Sequence, residues 1–150
     1  MIQLLNFTTL SLTQKELVLS WRNHPNILKW MINNNEISLE DHLYFIDLLS
    51  STTQKCYFLV QKDSEYVGVI DLTDITKDSA ELGIYANPDM RGVGHVLMNA
   101  LIDHALRLGL SKLIAKVFVN NVRALRLYQK FNFTEISRAN KKMITLERIL

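Results

Sequence analysis

The sequence is poor in the residues that define several special classes of protein. It contains one cysteine, two prolines and five glycines in 150 residues. A single cysteine cannot form an internal disulfide, and a chain of this kind suits the reducing cytoplasm. The low proline and glycine content argues against disorder and against a collagen-like chain. Cys56 precedes an apolar, β-rich run at residues 57–60, so we expect an inert thiol in a buried strand.

Long apolar runs, a strong charge and metal-binding patterns are also missing. The apolar runs are far shorter than the roughly 18 residues that span a bilayer, and residues 1–6 lack the basic leader of a signal peptide. A net charge of +2 suits small anions and is too weak for a nucleic-acid surface. Four scattered histidines without a His-Glu-x-x-His pattern predict no catalytic metal. We therefore expect a cytoplasmic protein without membrane or nucleic-acid partners; its oligomeric state stays open, a homodimer included.

The remaining composition is that of an ordinary globular protein, 48% hydrophobic and 21% charged. A length of 150 residues corresponds to about one domain. Internal repeats, low-complexity tracts and Gly/Ser linkers are absent from the sequence. We expect a single domain over residues 1–150.

Apolar periodicity and turn residues predict the element order βααβββαβαββ. Strands are expected at residues 2–7, 56–61, 66–72, 79–86, 113–119, 133–137 and 143–148. Helices are expected from Ser11 or Thr13 to about residue 23, and at residues 38–51, 92–108 and 121–130. Pro25 either ends the first helix or begins a short second one. Strands interleaved with helices are typical of a mixed α/β sheet.

The most informative stretch leads from the strand at residues 79–86 through a turn into the helix at residue 92. A helix start leaves backbone N–H groups unpaired, and Gly92 and Gly94 would let a phosphate approach them closely. Arg91 can add an ionic contact. The same residues also suit a plain strand–turn–helix corner with glycines for tight packing. The stretch has neither the Gly-Lys-Ser/Thr of a P-loop nor the third glycine of a dinucleotide fingerprint.

Two motifs give the sequence a family resemblance. Arg91 and Gly94 match the first and fourth positions of the acetyl-CoA loop Gln/Arg-x-x-Gly-x-Gly/Ala, whereas Val96 departs at the sixth. Residues 121–133 resemble the pattern Asn-x-x-Ala-x-x-Leu-Tyr-x-Lys-x-Gly-Phe, with Asn132 at the glycine position. Asparagine tolerates the left-handed conformation that often ends a helix. By these motifs the sequence resembles the GNAT superfamily of acetyl-CoA-dependent N-acetyltransferases.

The resemblance implies a fold and a mechanism. The implied fold is a mixed α/β sheet of about seven strands with about four helices, splayed at the acetyl-CoA cleft. In the family, the tyrosine at the position of Tyr128 protonates the departing thiolate, and a carboxylate at the position of Glu81 takes the proton of the amine. Weaker candidates for steering the amine are Asp71, Thr73 and Ser79. The expected cofactor-binding residues are Leu82, Ile84, Tyr85, Ala86, Arg91, Gly92, Val93, Gly94, His95, Val96, Asn121, Ala124, Tyr128 and Lys130.

The N-terminal helices are expected to hold the acceptor. Two Trp, an Arg, an Asn and a His within residues 21–31 resemble a GNAT subgroup that acetylates the 4-amino group of a UDP-linked dideoxy sugar on the route to pseudaminic acid, the sugar of flagellin glycosylation. A nucleotide sugar needs a flat surface for uracil and donors for its phosphates. Met31 and Phe45, with Tyr85, could supply the surface, and Arg22 and His42 the donors.

Plainer interpretations stay open beside these. Trp21 suits a core anchor, and Arg22 a structural salt bridge. Acetylation of a protein N-terminus, as in the ribosomal-protein type, is the alternative activity, and a non-catalytic acyl-CoA-binding module is the alternative class.

Overall fold

The computed structural model describes residues 1–138 and 140–150. The strands are β1 (Ile2–Asn6), β2 (Cys56–Lys62), β3 (Glu65–Thr73), β4 (Ser79–Ala86), β5 (Lys112–Phe118), β6 (Thr134–Ser137) and β7 (Met143–Ile149). The helices are α1 (Leu12–Arg22), α2 (Pro25–Leu28), α3 (Leu39–Leu49), α4 (Gly94–Arg107) and α5 (Val122–Lys130). The observed order agrees with the predicted one once Pro25 is taken to begin a short helix, which raises the number of helices to five.

All seven strands form one mixed sheet in the order β1-β2-β3-β4-β5-β7-β6. Neighbouring strands are antiparallel except for β4 and β5, which run parallel. The β4–β5 ladder joins Ser79, Ala80 and Glu81 to their partners on β5 and does not extend to the later residues of either strand. The carboxyl ends of β4 and β5 therefore form the two sides of an opening in the sheet, as predicted.

The two faces of the sheet carry separate cores, because successive strand residues point to opposite sides. On one face, Ile70, Leu72 and Leu82 pack with Leu97 and Leu101 of α4. On the other face, β2 and β3 meet the N-terminal helices. That second core includes Val18, Trp21, Ile46, Leu59 and Val69. The expectation that Trp21 anchors the core is confirmed.

Local hydrogen bonds explain where several elements begin. The Ser11 side chain accepts from Gln14 N and Gln14 bonds back to Ser11 N, so α1 starts with a capping box. The Ser38 side chain caps α3 by accepting from Asp41 N. Asp63 and Ser64 both have positive φ angles and form the tight turn between β2 and β3.

Most predicted boundaries differ from the observed ones by one or two residues, and two of these differences have a clear local cause. β1 ends at Asn6, because its side chain accepts from Thr8 N at 3.0 Å and starts a 3-10 turn at Phe7–Thr9. α4 begins at Gly94, because Gly92 has a φ of +73°, which an α-helix cannot include. None of the helices in the described ranges is long and apolar enough to cross a membrane.

Candidate active site

The opening between β4 and β5 brings the predicted cofactor residues into one region. Leu82, Ile84, Tyr85 and Ala86 lie on β4 beyond its ladder with β5. The turn before α4 and its first helical turn contribute Arg91, Gly92, Val93, Gly94, His95 and Val96. The α5 segment with its cap contributes Asn121, Ala124, Tyr128 and Lys130. The two helical segments meet where Gly94 approaches the Leu127 side chain: a Cβ on Gly94 would lie 3.3 Å from it.

The start of α4 fits a phosphate group. Within the described chain, Val93 caps the helix without a side-chain hydrogen bond, and the first turn of α4 contains no acidic residue. The N–H groups of the first turn are therefore free to bind an anion, and the helix dipole favours one there. Arg91 and His95 flank these groups in the sequence, and Arg91 is exposed. These residues fit the pyrophosphate of acetyl-CoA.

Tyr128 occupies the inner face of α5. The Asn121 side chain accepts from Ala124 N at 3.3 Å and fixes the start of this helix. The Tyr128 ring packs against Phe133 with 5.3 Å between centroids, and the residue is only 8% exposed. Burial raises the pKa of the Tyr128 hydroxyl well above its usual range, and the nearby Asp71 carboxylate raises it further. Tyr128 is therefore fully protonated at neutral pH, as a proton donor must be.

Glu81 lies where the β4–β5 ladder ends, and its carboxylate is paired. Lys116 of β5 places its Nζ 3.0 Å from the Glu81 Oε1, and both side chains are partly exposed. Sequence reasoning missed Lys116, since nothing local in the sequence signals a contact between residues thirty-five positions apart. The pairing occupies the carboxylate that the family resemblance implies as the base.

Asp71 of β3 is the second carboxylate at the site. It pairs in register with Gly83 of β4, and its side chain lies over that glycine, where an added Cβ would come within 2.7 Å of the Asp71 Cγ. Burial, with the negative charge of Glu81, raises the pKa of Asp71 to about 7. Of the other weak candidates, Ser79 is held in a turn, its Oγ 3.2 Å from Thr76 Oγ1. Thr73 pairs in register with Glu81.

On the opposite face, Arg22 lies near Tyr85 and Tyr57. Met31, Phe45, Tyr57 and Tyr85 all pack against the N-terminal core. Phe45 and Tyr57 make an edge-to-face pair with 5.0 Å between centroids. Sequence reasoning missed Tyr57, because a tyrosine in an apolar strand has no signal that separates a site residue from a core residue.

The Arg22 guanidinium is only partly engaged in hydrogen bonds among the described residues. Its Nη2 donates to the Asn33 carbonyl at 3.0 Å, but the buried Nη1 has no hydrogen-bond partner among residues 1–138 and 140–150. Burial lowers the pKa of Arg22, and nearby Tyr85 and Tyr57 partly offset this. The alternative of a structural salt bridge finds no support, because the described residues give Arg22 no acidic partner.

His42 links two of the N-terminal helices. It is 5% exposed, and its Nε2 is 2.9 Å from the Lys15 carbonyl oxygen, so it ties α3 to α1. Burial lowers the pKa of the ring, which disfavours the charged form that would attract a phosphate. Of the two predicted donors, Arg22 is therefore the better placed. Among the residues that the structure describes, no three His, Cys, Asp or Glu side chains group closely enough to hold a metal ion.

Solved structures of acetyltransferases share this architecture. The crystal structure of Campylobacter jejuni N-acetyltransferase PseH in complex with acetyl coenzyme A matches with a TM-score of 0.85 and 37% identity, covering 99% of each chain. The spermidine N-acetyltransferase of Vibrio cholerae, in complex with CoA and spermine, matches with a TM-score of 0.84, covering 99% of this chain and 95% of that one. At 19% identity the second likeness concerns the fold alone.

Sequence comparison gives the same family. Acetyltransferase PseH of Campylobacter jejuni subsp. jejuni serotype O:23/36 (strain 81-176) is 45% identical over 135 residues, which are 89% of this chain and 85% of the relative. The model described as the acetyltransferase (GNAT) family matches residues 18–133. The chain belongs to the GNAT family of acetyltransferases and is an enzyme that uses acetyl-CoA, as its motifs predicted.

Proposed function

We propose that this acetyltransferase acts in the cytoplasm on the 4-amino group of a UDP-linked amino-dideoxy sugar, as a step of pseudaminic acid biosynthesis for flagellin glycosylation. The PseH name of the relatives implies this pathway. The observation that carries the acceptor class is the unpartnered Nη1 of Arg22, which is buried beside the acceptor face. A buried guanidinium nitrogen without a partner is costly, and a phosphate would satisfy it with charged hydrogen bonds.

The aromatic side chains on this face suit the remainder of such an acceptor. Phe45 and Tyr57 are fixed in an edge-to-face pair, and Tyr85 joins them from β4. Rigid aromatic surfaces of this kind bind a planar base or the face of a sugar ring. Met31 adds an adaptable apolar contact.

The residues divide the work of acetyl transfer between them. Acetyl-CoA supplies the acetyl group as a thioester. The first-turn N–H groups of α4, with Arg91, hold the pyrophosphate, and a backbone N–H of β4 polarises the thioester carbonyl. The Tyr128 hydroxyl gives its proton to the departing sulfur.

Steady-state kinetics of Arg22→Ala tests the acceptor. We expect at least a tenfold rise in KM for the UDP-amino sugar, about 1.4 kcal/mol, with KM for acetyl-CoA nearly unchanged. The matched control is Arg107→Ala, because Arg107 is an exposed arginine on α4 that pairs with Asp103. Free UDP should compete with the sugar and not with acetyl-CoA.

A different result would favour the ribosomal-protein type of acceptor. If millimolar UDP does not inhibit, and a peptide N-terminus is acetylated readily by the wild type, the nucleotide-sugar acceptor is wrong.

A further inference from the structure

We infer that Asp71 of β3, rather than Glu81 of β4, is the residue that takes the proton from the acceptor amine. The inference rests on one part of the proposed function, that the acceptor is an amine, and not on the identity of the sugar. Four features of the structure carry it: the position of Asp71, its lack of donors, the engagement of Glu81, and the groups that face both carboxylates.

The position of Asp71 depends on Gly83. The two residues are register partners on β3 and β4, and the carboxylate occupies the space that a side chain at position 83 would fill. The Asp71 side chain therefore lies across β4, next to the stretch of that strand beyond its ladder with β5. That stretch is where the thioester must lie if β4 polarises its carbonyl.

Asp71 also lacks the partners of a structural carboxylate. In the part of the chain that the structure describes, no side chain or backbone N–H donates a hydrogen bond to it. Carboxylates that serve only stability are normally satisfied by protein donors, whereas the Asp71 side chain is partly exposed and open to a ligand. An ammonium group of the acceptor would satisfy Asp71 with a charged hydrogen bond.

Glu81 is less suited to the task. Lys116 Nζ lies 3.0 Å from its Oε1, so an incoming ammonium would have to compete with a cation that the protein itself provides. In this arrangement Glu81 is a positioning residue that acts on Asp71 through its charge.

Several titratable groups face Asp71 from the elements around it. Tyr57 faces it from β2, Tyr85 and Glu81 from β4, and Tyr128 from α5, while Cys56 lies beside Tyr57 on β2 but points to the other side of the sheet. Burial raises the pKa of the three tyrosines and of Cys56, and the Asp71 carboxylate raises it further, so those groups stay neutral. Two cations influence the groups around Asp71. Arg22 interacts with Tyr57 and Tyr85, and Lys116 forms an ion pair with Glu81. Burial and Glu81 bring the pKa of Asp71 to about 7, which suits a base that works near neutral pH.

The protons balance in this arrangement. The ammonium of the acceptor gives one proton to an Asp71 carboxylate oxygen, and the neutral nitrogen forms its bond to the acetyl carbon as the carbon–sulfur bond breaks. Of the two remaining protons on nitrogen, one stays in the amide. The other is released as Tyr128 protonates the sulfur, and it restores Tyr128 through solvent. Asp71 then returns its own proton to water.

The test compares the pH dependence of three variants at saturating acetyl-CoA, with release of free thiol as the measurement. The wild type should show a rise of kcat/KM for the acceptor with an apparent pKa near 7, the pKa of Asp71. Asp71→Asn should lose this rise and lower kcat/KM by about 10²–10⁴-fold. Glu81→Gln should keep the rise but shift it to lower pH, because the charge that raises the pKa of Asp71 is gone. Asp74→Asn is the matched control, since Asp74 is an exposed aspartate just after β3 and asparagine tolerates its positive φ.

A second variant covers the case in which Asp71→Asn misfolds. Gly83→Ala keeps the aspartate at position 71, but the added Cβ forces its carboxylate to move. Activity should therefore fall, while calorimetry should still show binding of acetyl-CoA. The inference is overturned if Asp71→Asn and Gly83→Ala keep the wild-type profile, or if Glu81→Gln alone abolishes the rise. A wild type that acetylates peptides instead of sugars would overturn the proposed acceptor and leave the comparison of variants intact. A wild type that acetylates no amine would overturn both.

Discussion

Tyr128 combines two properties that are uncommon in one side chain. Its ring is part of the core on the α4 face, and its hydroxyl lies close enough to Asp71 for the carboxylate to affect its pKa. A phenol that burial keeps protonated holds a proton that it can donate to the sulfur as the carbon–sulfur bond breaks. The proposed role of Tyr128 therefore rests on its packing and on its protonation state together.

Replacing Tyr128 with phenylalanine separates these two contributions. Tyr128→Phe keeps the ring and its contact with Phe133, so folding and acetyl-CoA affinity should be nearly unchanged. Loss of the donor should lower kcat by about 10²–10⁴-fold in a thiol-release assay. Tyr44→Phe is the control, because Tyr44 is 64% exposed on α3. If kcat of Tyr128→Phe stays within a factor of about two of the control, solvent protonates the sulfur and the role given to Tyr128 is wrong.

At the scale of elements, the turn before α4 depends on the backbone conformation of a single glycine. Gly92 has a φ of +73°, and nothing lies within 4 Å of the place where its Cβ would be. An alanine there would be strained by its backbone alone, at a cost of about 1–2 kcal/mol. Gly109, after α4, has a φ of +79° and equally open surroundings, so it provides a matched control.

Replacing either glycine with alanine should therefore lower stability by the same amount, but only one of the two replacements should weaken acetyl-CoA binding. We expect Gly92→Ala and Gly109→Ala to lower the melting temperature by similar amounts. Only Gly92→Ala should weaken acetyl-CoA binding, by about tenfold or 1.4 kcal/mol, because the relaxed turn would misalign the N–H groups of α4. Calorimetry giving the same acetyl-CoA affinity for both variants would remove the turn from the binding site.

The elements themselves were largely predictable from local sequence. Ser11 and Ser38 as helix caps, the turn at Asp63 and Ser64, and the left-handed Asn132 each follow from the conformational preferences of one or two residues. The family motifs also predicted the opening beside β4. Errors at element ends arose where a side chain or a positive φ angle redirected the backbone, as at Asn6 and Gly92.

The arrangement of charges inside the site was not predictable in the same way. The contact between Glu81 and Lys116 depends on the register of two parallel strands, and the place of Asp71 depends on its pairing with Gly83. Neither register has a local sequence signal, because alternating strand residues look the same after a shift of two. Sequence reasoning therefore ranked Glu81 above Asp71.

At the scale of the whole molecule, the sheet lies between most of the predicted cofactor residues and the proposed acceptor residues. The face covered by α4 and α5 supports the cofactor residues, and the face covered by α1 to α3 supports the proposed acceptor residues. The opening between β4 and β5 connects the two faces of the sheet. A gap there removes backbone pairing from the middle of a sheet, so the site lowers the stability of the fold in two ways: by lost strand pairing and by the burial of Asp71.

The cost of burying Asp71 should appear as a pH dependence of stability. Its pKa rises from the usual 3.8 to about 7 in the folded protein, so the folded state holds a proton that the unfolded state has released between these values. Stability should therefore fall as the pH rises from about 4 to about 7, and the penalty should be complete above that range. The neutral amide in Asp71→Asn carries no such penalty, so this variant should be more stable than the wild type at pH 8 and nearly equal to it near pH 4.

Thermal unfolding of the wild type, Asp71→Asn and Asp74→Asn at several pH values measures this difference. We expect Asp71→Asn to gain about 1–3 kcal/mol at pH 8, several degrees in melting temperature, an amount reduced by the partial exposure of the Asp71 residue. Burial lowers the pKa values of His42 and His104, which destabilises the fold as the pH falls, but both proteins share these histidines and the difference cancels their effect. Asp74→Asn should follow the wild type at every pH. An Asp71→Asn protein that is less stable than the wild type at pH 8 would mean that the carboxylate serves the fold, and the stability cost assigned to it here would be wrong.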